Sequence, residues 1–549
     1  MPVPGPITDT FIPAGEYRDP SPAGKIASDA RAPETIPGAL LGMASLRGEH
    51  LAVVSPTTQL TYAEVAEGMM ALATALVAAG LRKGDAVGVW LPNCAEWVVA
   101  AMGVQASGGV LVPLNTRYKA AEVSHALNMT RARFLIHPVS FVGIDYGAIL
   151  AGAELPFIER RIAVDLEGGG GDEFAEFIAS AANDSAAWSE VEERLAAQSG
   201  DDVSDIIFTS GTTGAPKGVV TTHGQNVRTF AEWNRATTLG PDDRYLLIWP
   251  MSHCSGYKGG WLAAVLVGAT IHPEATLDIA RLVERTMAEK ITFLPGPPTL
   301  FQSLLQVQRE GNARLESLRV VGTGGTTIDP AMIAAVRSEL GAEIVYAGYG
   351  LTECCGTAAM IFPDDPHDMV IPSSGRAIGG TELEAMGPDG AILPRGLEGE
   401  LVTRGFHVMQ GYFEDPKATA EAIDEAGWLH TGDLGKLDEA GFVSITGRAK
   451  ELYIVGGFNC YPAEIENLMQ AHPGVREVAV IGVPDERMGE IGKAFVVWDL
   501  AQGEPDQAAL IAWCGEQMAN YKVPRTVAFI AALPRNAMGK IEKFRLAAA

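Results

Sequence analysis

Apolar positions along this chain keep to two spacings that alternate. Val65, Met69, Leu72 and Leu76 recur at the interval of one helix face, and Thr61-Tyr-Ala-Glu64 just ahead of them has the form of a capping box. Gly80 closes that helix. Residues 86–90 then read as a buried strand, 96–104 as a helix and 109–114 as another strand. The uncharged stretch 97–116 is interrupted by Gln105, Gly108-Gly109 and Pro113, so it predicts a buried helix running into a strand rather than a membrane span. Further strands are expected at 203–208, 245–249, 291–294, 318–322 and 344–346, each followed by helical text. Such alternation predicts an α/β fold in which mainly parallel sheets are flanked by helices. The run 168–171 marks a loop, and the Pro- and Gly-rich first forty residues an irregular arm.

After about residue 375 the texture changes. Segments 399–403, 442–446 and 452–455 are short strands between glycine turns, the pattern of a β-rich subdomain with antiparallel pairing. A helix over 462–470 begins with Pro462 and carries acids near its positive end. Strands at 478–481 and 494–497 complete a small α+β domain. The expected organisation is a large N-terminal domain, 1–447, and a small mobile C-terminal domain, 448–549, with a hinge near 448–450.

Charge narrows the chemistry. The 549 residues hold 41 Lys and Arg against 67 Asp and Glu, a formal net charge of −26. A surface that acidic repels a phosphate backbone, and no basic run relieves it, so nucleic acid is not an expected partner. An anionic ligand must be held locally, by main-chain N–H groups, single placed cations or a metal ion. Six cysteines without a Cys-x-x-Cys spacing describe reduced thiols. The N-terminus lacks the basic and apolar regions of a secretory signal, so a cytoplasmic location is expected.

The segment Phe208-Thr-Ser-Gly-Thr-Thr-Gly-Ala-Pro-Lys-Gly218 carries the most information. Its glycines permit close approach, its successive N–H groups can form a concave nest for phosphate oxygens, and Thr209, Ser210, Thr212, Thr213 and Lys217 supply polar groups around it. The spacing from Gly211 through Gly214 to Lys217 is not that of a Walker loop. This segment resembles the phosphate loop of the adenylate-forming superfamily, which includes acyl-CoA synthetases, firefly luciferase and peptide-synthetase adenylation domains. Five other blocks resemble segments of that family. Tyr349-Gly350-Leu-Thr352-Glu353 is similar to the block whose aromatic ring packs on adenine, whose Thr contacts the α-phosphate and whose Glu holds Mg²⁺. The Gly324-Gly325-Thr326 loop resembles the one bordering adenine. Within Trp428-Leu-His-Thr-Gly-Asp433, Asp433 matches the ribose-binding carboxylate. In Gly447-Arg448-Ala-Lys450, Arg448 matches a ribose or phosphate contact and Lys450 the hinge, while Gly456-Gly457 would border the CoA channel. Pro534-Arg-Asn-Ala-Met-Gly-Lys540 resembles the terminal block, whose lysine enters the first active site.

The resemblance implies an ATP-dependent carboxylic acid:CoA ligase that works through an acyl-adenylate, with ATP, Mg²⁺ and coenzyme A as cofactor and co-substrates. Lys540, Thr352, Glu353 and His253 are its expected catalytic residues, and Trp233, His253, Cys254, Tyr257, Cys354 and Gly356 its expected acyl pocket. Text around Gly256-Tyr-Lys258, 294–299 and 453–459 is similar to that of actinobacterial ligases for steroid-ring propanoates, which points to a bulky cyclic or medium-chain acid. An aromatic acid stays open. So does delivery of the acyl group to a carrier protein, although residues 433–460 lack the insertion typical of such enzymes. An inactive nucleotide or acyl sensor is disfavoured by the presence of Lys217, Glu353, Asp433 and Lys540. The sequence is silent on oligomeric state, and a homodimer is a state to test.

Overall fold

A computed structural model describes residues 33–168, 173–209, 216–311, 314–323, 330–366, 369, 373–448, 451, 453–455, 458–460, 462–485, 488–518, 520–536 and 539–547. By the density of contacts within each, the chain forms two compact units. One comprises residues 1–382 and 404–429, the other 383–403 and 430–549.

The first unit begins as the patterning predicts. Helix Tyr62–Ala78 is capped by Thr61, whose side chain accepts from the Glu64 N–H while the Glu64 carboxylate accepts from the Thr61 N–H at 2.7 Å. The long uncharged stretch resolves into helix Ala95–Ala106 and strand Val110–Pro113. Two seven-stranded sheets follow. One runs Ile344–Tyr346, Val320–Gly322, Phe293–Pro295, Arg244–Leu247, Thr270–Pro273, Leu51–Val54, Gln59–Thr61, parallel except for the last pair. The other runs Gly411–Tyr412, Lys217–Thr222, Val203–Thr209, Val110–Pro113, Ala86–Val89, Phe134–Pro138, Arg160–Val164, with the first two pairings antiparallel.

Helices Tyr62–Ala78 and Ala95–Ala106 are buried on nearly every side. The reason is their place in a single core that takes Val53, Tyr245, Ile271, Phe293 and Val320 from one sheet and Val87, Val89, Leu111, Phe134 and Ile207 from the other. A helix between two sheets has no solvent face to keep polar. This arrangement sends the carboxyl ends of the parallel strands, where α/β proteins place their ligands, into the loops at 209–217, 248–254 and 347–356.

In the second unit, a four-stranded sheet of order Thr381–Met386, Gly399–Gly405, Leu429–Leu437, Val443–Arg448 precedes a five-stranded one. The latter is built on the long antiparallel pair Val475–Asp485 and Gly489–Trp498, with Thr526–Phe529 added in parallel. Helices Pro462–Gln470 and Gln507–Gln517 cover it. Residues 383–403 and 430–447 group by contacts with this unit, ahead of the expected boundary at 447 and 448, because Leu429–Leu437 pairs along its length with Val443–Arg448. Where a hinge turns is a separate matter, and Lys450 lies outside the described residues.

Candidate active site

The phosphate-loop segment is the mouth of a β-hairpin. Thr209 pairs with Lys217 and Phe208 with Gly218. Ser210, Gly211, Thr212, Thr213 and Gly214 lie outside the described residues, as do Gly324, Gly325 and Thr326. Pro216 presents its carbonyl to the His125 ring at 2.8 Å, which fixes the returning limb. The Lys217 ammonium lies 4.7 Å from the centre of the Tyr412 ring. Tyr412 in turn donates its hydroxyl proton to Glu353 Oε1 at 2.8 Å, and the Met409 N–H donates to the Glu353 carbonyl. Burial and the Glu353 carboxylate raise the Tyr412 phenol, keeping it a donor. The structure thus brings Lys217 to the ring and Glu353 to the hydroxyl of one tyrosine. Sequence reasoning missed Tyr412; its only trace was an aromatic beside Gly411 in otherwise plain text.

Tyr349 ends a short strand, and Thr352–Cys354 forms a single 3-10 turn after it. Both Tyr349 and Thr352 are buried. The turn is tight: a side chain at Gly350 would place its Cβ 2.4 Å from the Gly356 carbonyl oxygen. Gly356, at φ +99°, lies against Cys254 and Phe230. The block carrying Glu353 and the segment after His253 therefore meet.

His253 opens the short helix Cys254–Gly256, its Nδ1 accepting from the Ser255 N–H. Asn93 sets its approach. The Asn93 amide donates to the carbonyls of Leu247, Trp249 and Glu274 and accepts from the Met251 N–H at 2.8 Å, saturating the side chain. Packing around the ring, with the Lys258 charge behind it, lowers His253 to about 4, so it is neutral near pH 7. Cys254, Cys354 and Cys355 are buried free thiols, and burial raises all three, Cys355 to about 12.

Trp233 and Tyr257 sit deeper than the pocket reading supposed. Trp233 packs among Phe230, Phe293 and Tyr346 in the main core. Tyr257 has no exposed surface and its hydroxyl accepts from Gln105 at 2.6 Å. Phe230 links Trp233 to Gly356, which lies against Cys254.

Next to Tyr257 begins a buried charge network that no sequence motif marks. Tyr257–Leu262 is a π-helical turn, and its Lys258 is fully buried, 2.9 Å from Asp205 Oδ1. Lys258 also donates to the Thr221 hydroxyl, which donates to Asp205, whose other oxygen accepts from Ser204 and Asn226. Burial pulls Lys258 toward neutrality, but the Asp205 carboxylate outweighs it and the net shift is upward. Asp205 and Thr221 belong to the two strands 203–209 and 217–222, so the network ties that hairpin to the turn Tyr257–Leu262. The available signal was a charged residue inside each of two apolar segments, 203–208 and 254–265.

In the second unit, Asp433 is buried and stands opposite Arg448 in the strand register, its N–H donating to the Thr431 hydroxyl. Gly456 and Gly457 lie outside the described residues. Lys540 is exposed on a hairpin closed by the Arg535–Ile541 bridge, its N–H donating to Asn536 Oδ1 at 3.0 Å. A cavity of about 310 Å³ lined by Lys83, Ala86, Val110, Asp202, Val203 and Phe413 lies at the amino ends of the parallel strands, away from the ends that carry this site.

The hairpin 203–222 thus stands in the large unit and the exposed Lys540 in the small one. Residues 43–413 match the AMP-binding enzyme family and residues 464–540 match the AMP-binding enzyme C-terminal domain. The chain belongs to that family. It is 43% identical over 519 residues to the 7a-methyl-1,5-dioxo-octahydro-1H-inden-4-yl propanoyl:CoA ligase of Rhodococcus jostii, covering 93% of this chain and 98% of the relative. A ligase of the same name from Mycobacterium tuberculosis is 42% identical over 512 residues, with the same coverage. Among solved structures, ATP-bound MatB from Rhodopseudomonas palustris aligns at a TM-score of 0.79 with 28% identity, covering 94% of this chain and 98% of that one. The o-succinylbenzoate CoA synthetase of Bacillus subtilis in complex with its acyl-adenylate aligns at 0.76 with 27% identity, covering 92% and 97%. The protein is an AMP-forming acyl-CoA synthetase that uses ATP, CoA and a small-molecule carboxylic acid. No helix among the described residues is long and apolar enough to cross a membrane.

Proposed function

We propose that the acid is a bulky bicyclic propanoate of the hydroindane-dione type, converted to its CoA thioester. The observation that carries this reading is the near full-length identity, above 40%, to two enzymes whose names state that acid. Met251-Ser252 supports it too, standing before His253 where members of the family often carry an aromatic.

In the first half-reaction a carboxylate oxygen attacks the α-phosphorus of ATP, the bond to the β-phosphate bridging oxygen breaks, and pyrophosphate leaves. In the second the thiol sulfur of CoA attacks the acyl carbon, losing its proton, and AMP leaves. What the protein supplies is alignment and charge stabilisation. In this reading the 209–217 loop cradles the triphosphate, Tyr349 packs on adenine, Thr352 contacts the α-phosphate and Asp433 accepts from the ribose hydroxyls. Arg448 supports the ribose or phosphate, and neutral His253 stands by the acyl carboxylate. Lys540 neutralises charge at the reacting centre during adenylation, then leaves as the small domain turns about Lys450 and brings Gly456-Gly457 to the CoA channel. Glu353 fits Mg²⁺: it offers hard oxygens, and one carboxylate suffices for an ion that completes its shell with phosphate oxygens and water. When bound, the ion would neutralise the phosphates. Among the described residues no group of three His, Cys, Asp or Glu could hold a metal without the nucleotide. A cytoplasmic location and a homodimeric state belong to the same reading.

The test is pyrophosphate release with a panel of acids, with and without CoA. The hydroindane-dione propanoate is expected to give the highest kcat/KM, ahead of octanoate and ferulate, with CoA-dependent turnover. Preference for octanoate or ferulate would sink the substrate assignment.

A further inference from the structure

We propose that Lys543 is a positioning residue for Lys540, clamping the hairpin that bears it to the chain leaving the hinge. The Lys543 ammonium is 2.7 Å from Glu451 Oε2 and 2.8 Å from Glu466 Oε1, with the three side chains only 16%, 32% and 19% exposed. Glu451 directly follows the 449–450 pair. Glu466 lies on helix Pro462–Gln470 and also accepts the Val480 N–H at 2.6 Å, locking that helix to strand Val475–Asp485. One cation therefore joins the strand exit beside the hinge, the domain's main helix and strand, and the segment three residues beyond Lys540.

The other ties on this hairpin are weaker. Arg535 pairs with Glu477 at 2.7 Å, but Arg535 is 40% exposed against 16% for Lys543, and exposed pairs contribute little. The following helix, Lys543–Ala547, is too short to hold itself. Leu533, Ile541 and Leu546 add an apolar anchor against Ala479 and Phe495, which holds the segment down without fixing its direction. Directional restraint comes from Lys543. Burial drives Glu466 upward and works against the charge on Lys543, but the two carboxylates keep Lys543 above its ordinary value, so Lys543 stays a cation at neutral pH. A lysine delivered by domain rotation must arrive within a fraction of an ångström, and the clamp makes hinge strand and hairpin turn as one body.

This inference rests on the role given to Lys540 above, so K540A is measured in parallel. Two half-reactions are read with the hydroindane-dione propanoate: single-turnover formation of acyl-AMP from acid and ATP, and acyl transfer to CoA from supplied acyl-AMP. Lys543→Met is expected to slow adenylation about 10- to 100-fold and leave acyl transfer within about 3-fold, while Lys543→Arg keeps most adenylation. Glu451→Gln should shift adenylation in the same direction by less. Equal loss of both half-reactions in a folded K543M protein, or loss of neither, overturns the proposal. If K543M does not fold, E451Q decides: unchanged adenylation overturns the clamp. If K540A itself spares adenylation, the earlier reading of Lys540 fails. If K540A splits the half-reactions and K543M does not, only the clamp fails.

Discussion

Lys258 and Asp205 are both wholly buried, and each is tolerable only because of the other. Replacing Lys258 with Met leaves a carboxylate stranded in the core. Such a loss costs about 3–5 kcal/mol, and the expected result is a large drop in the urea midpoint of Lys258→Met. Adding Asp205→Asn to that variant removes the stranded charge and should recover part of the loss; no recovery would show that the ammonium stem, not the pair, is what the core needs. Lys540 presents the opposite case. It is exposed and on a hairpin, so Lys540→Ala should leave the unfolding free energy in urea within about 0.5 kcal/mol of wild type while adenylation collapses and acyl transfer from supplied acyl-AMP persists. A parallel fall of both half-reactions would remove Lys540 from its role. Lys540 was legible because a block of neighbouring residues marks it. Lys258 and Tyr412 were not, because partners supplied from 53 and 59 residues away have no local signature.

The elements that the patterning predicts are those whose causes are local. The capping box at Thr61 and Glu64 formed as written, since both groups it joins lie within one turn. The π turn at Tyr257–Leu262 could not be read in this way. In it Lys258 reaches Asp205 on the distant strand Val203–Thr209, and just before it Gly256 passes close to residue 250. A Cβ on Gly256 would stand 2.2 Å from the Pro250 carbonyl oxygen, a backbone atom that cannot swing aside. Gly256→Ala is therefore expected to cost about 1–3 kcal/mol in urea unfolding. It should also raise KM for the acid more than KM for ATP, because the displaced segment carries His253 and Cys254. Equal changes in both constants would argue against this segment as the acyl wall.

At the scale of the whole molecule, burial lowers six histidines among the described residues, His137 and His272 along with four that shift furthest. His50, His223, His253 and His407 each fall to about 4 from an ordinary 6.5. The unfolded chain takes up their protons as pH drops through 6.5, while the native protein does not until about 4. Stability from these groups is thus complete above pH 6.5 and is lost on acidification toward pH 4. The urea midpoint should fall steadily over that window, with about three to four protons taken up on unfolding at pH 5, measured by calorimetry in buffers of different ionisation enthalpy. A flat profile from pH 7 to 5 would mean the rings are already charged in the native state.

Sequence by itself determined the alternation of strands and helices, the change of texture after residue 375, and the order of blocks that marks the adenylate-forming family. These follow from periodicity and from motifs whose members are neighbours in the chain. Tertiary structure decided what stands behind the motifs: the Lys217–Tyr412–Glu353 contact, the saturated side-chain amide of Asn93, the buried Lys258–Asp205 pair and the Lys543 clamp. Each joins residues far apart in sequence, and a charge or hydroxyl acquires its meaning only from the group that desolvation forces beside it.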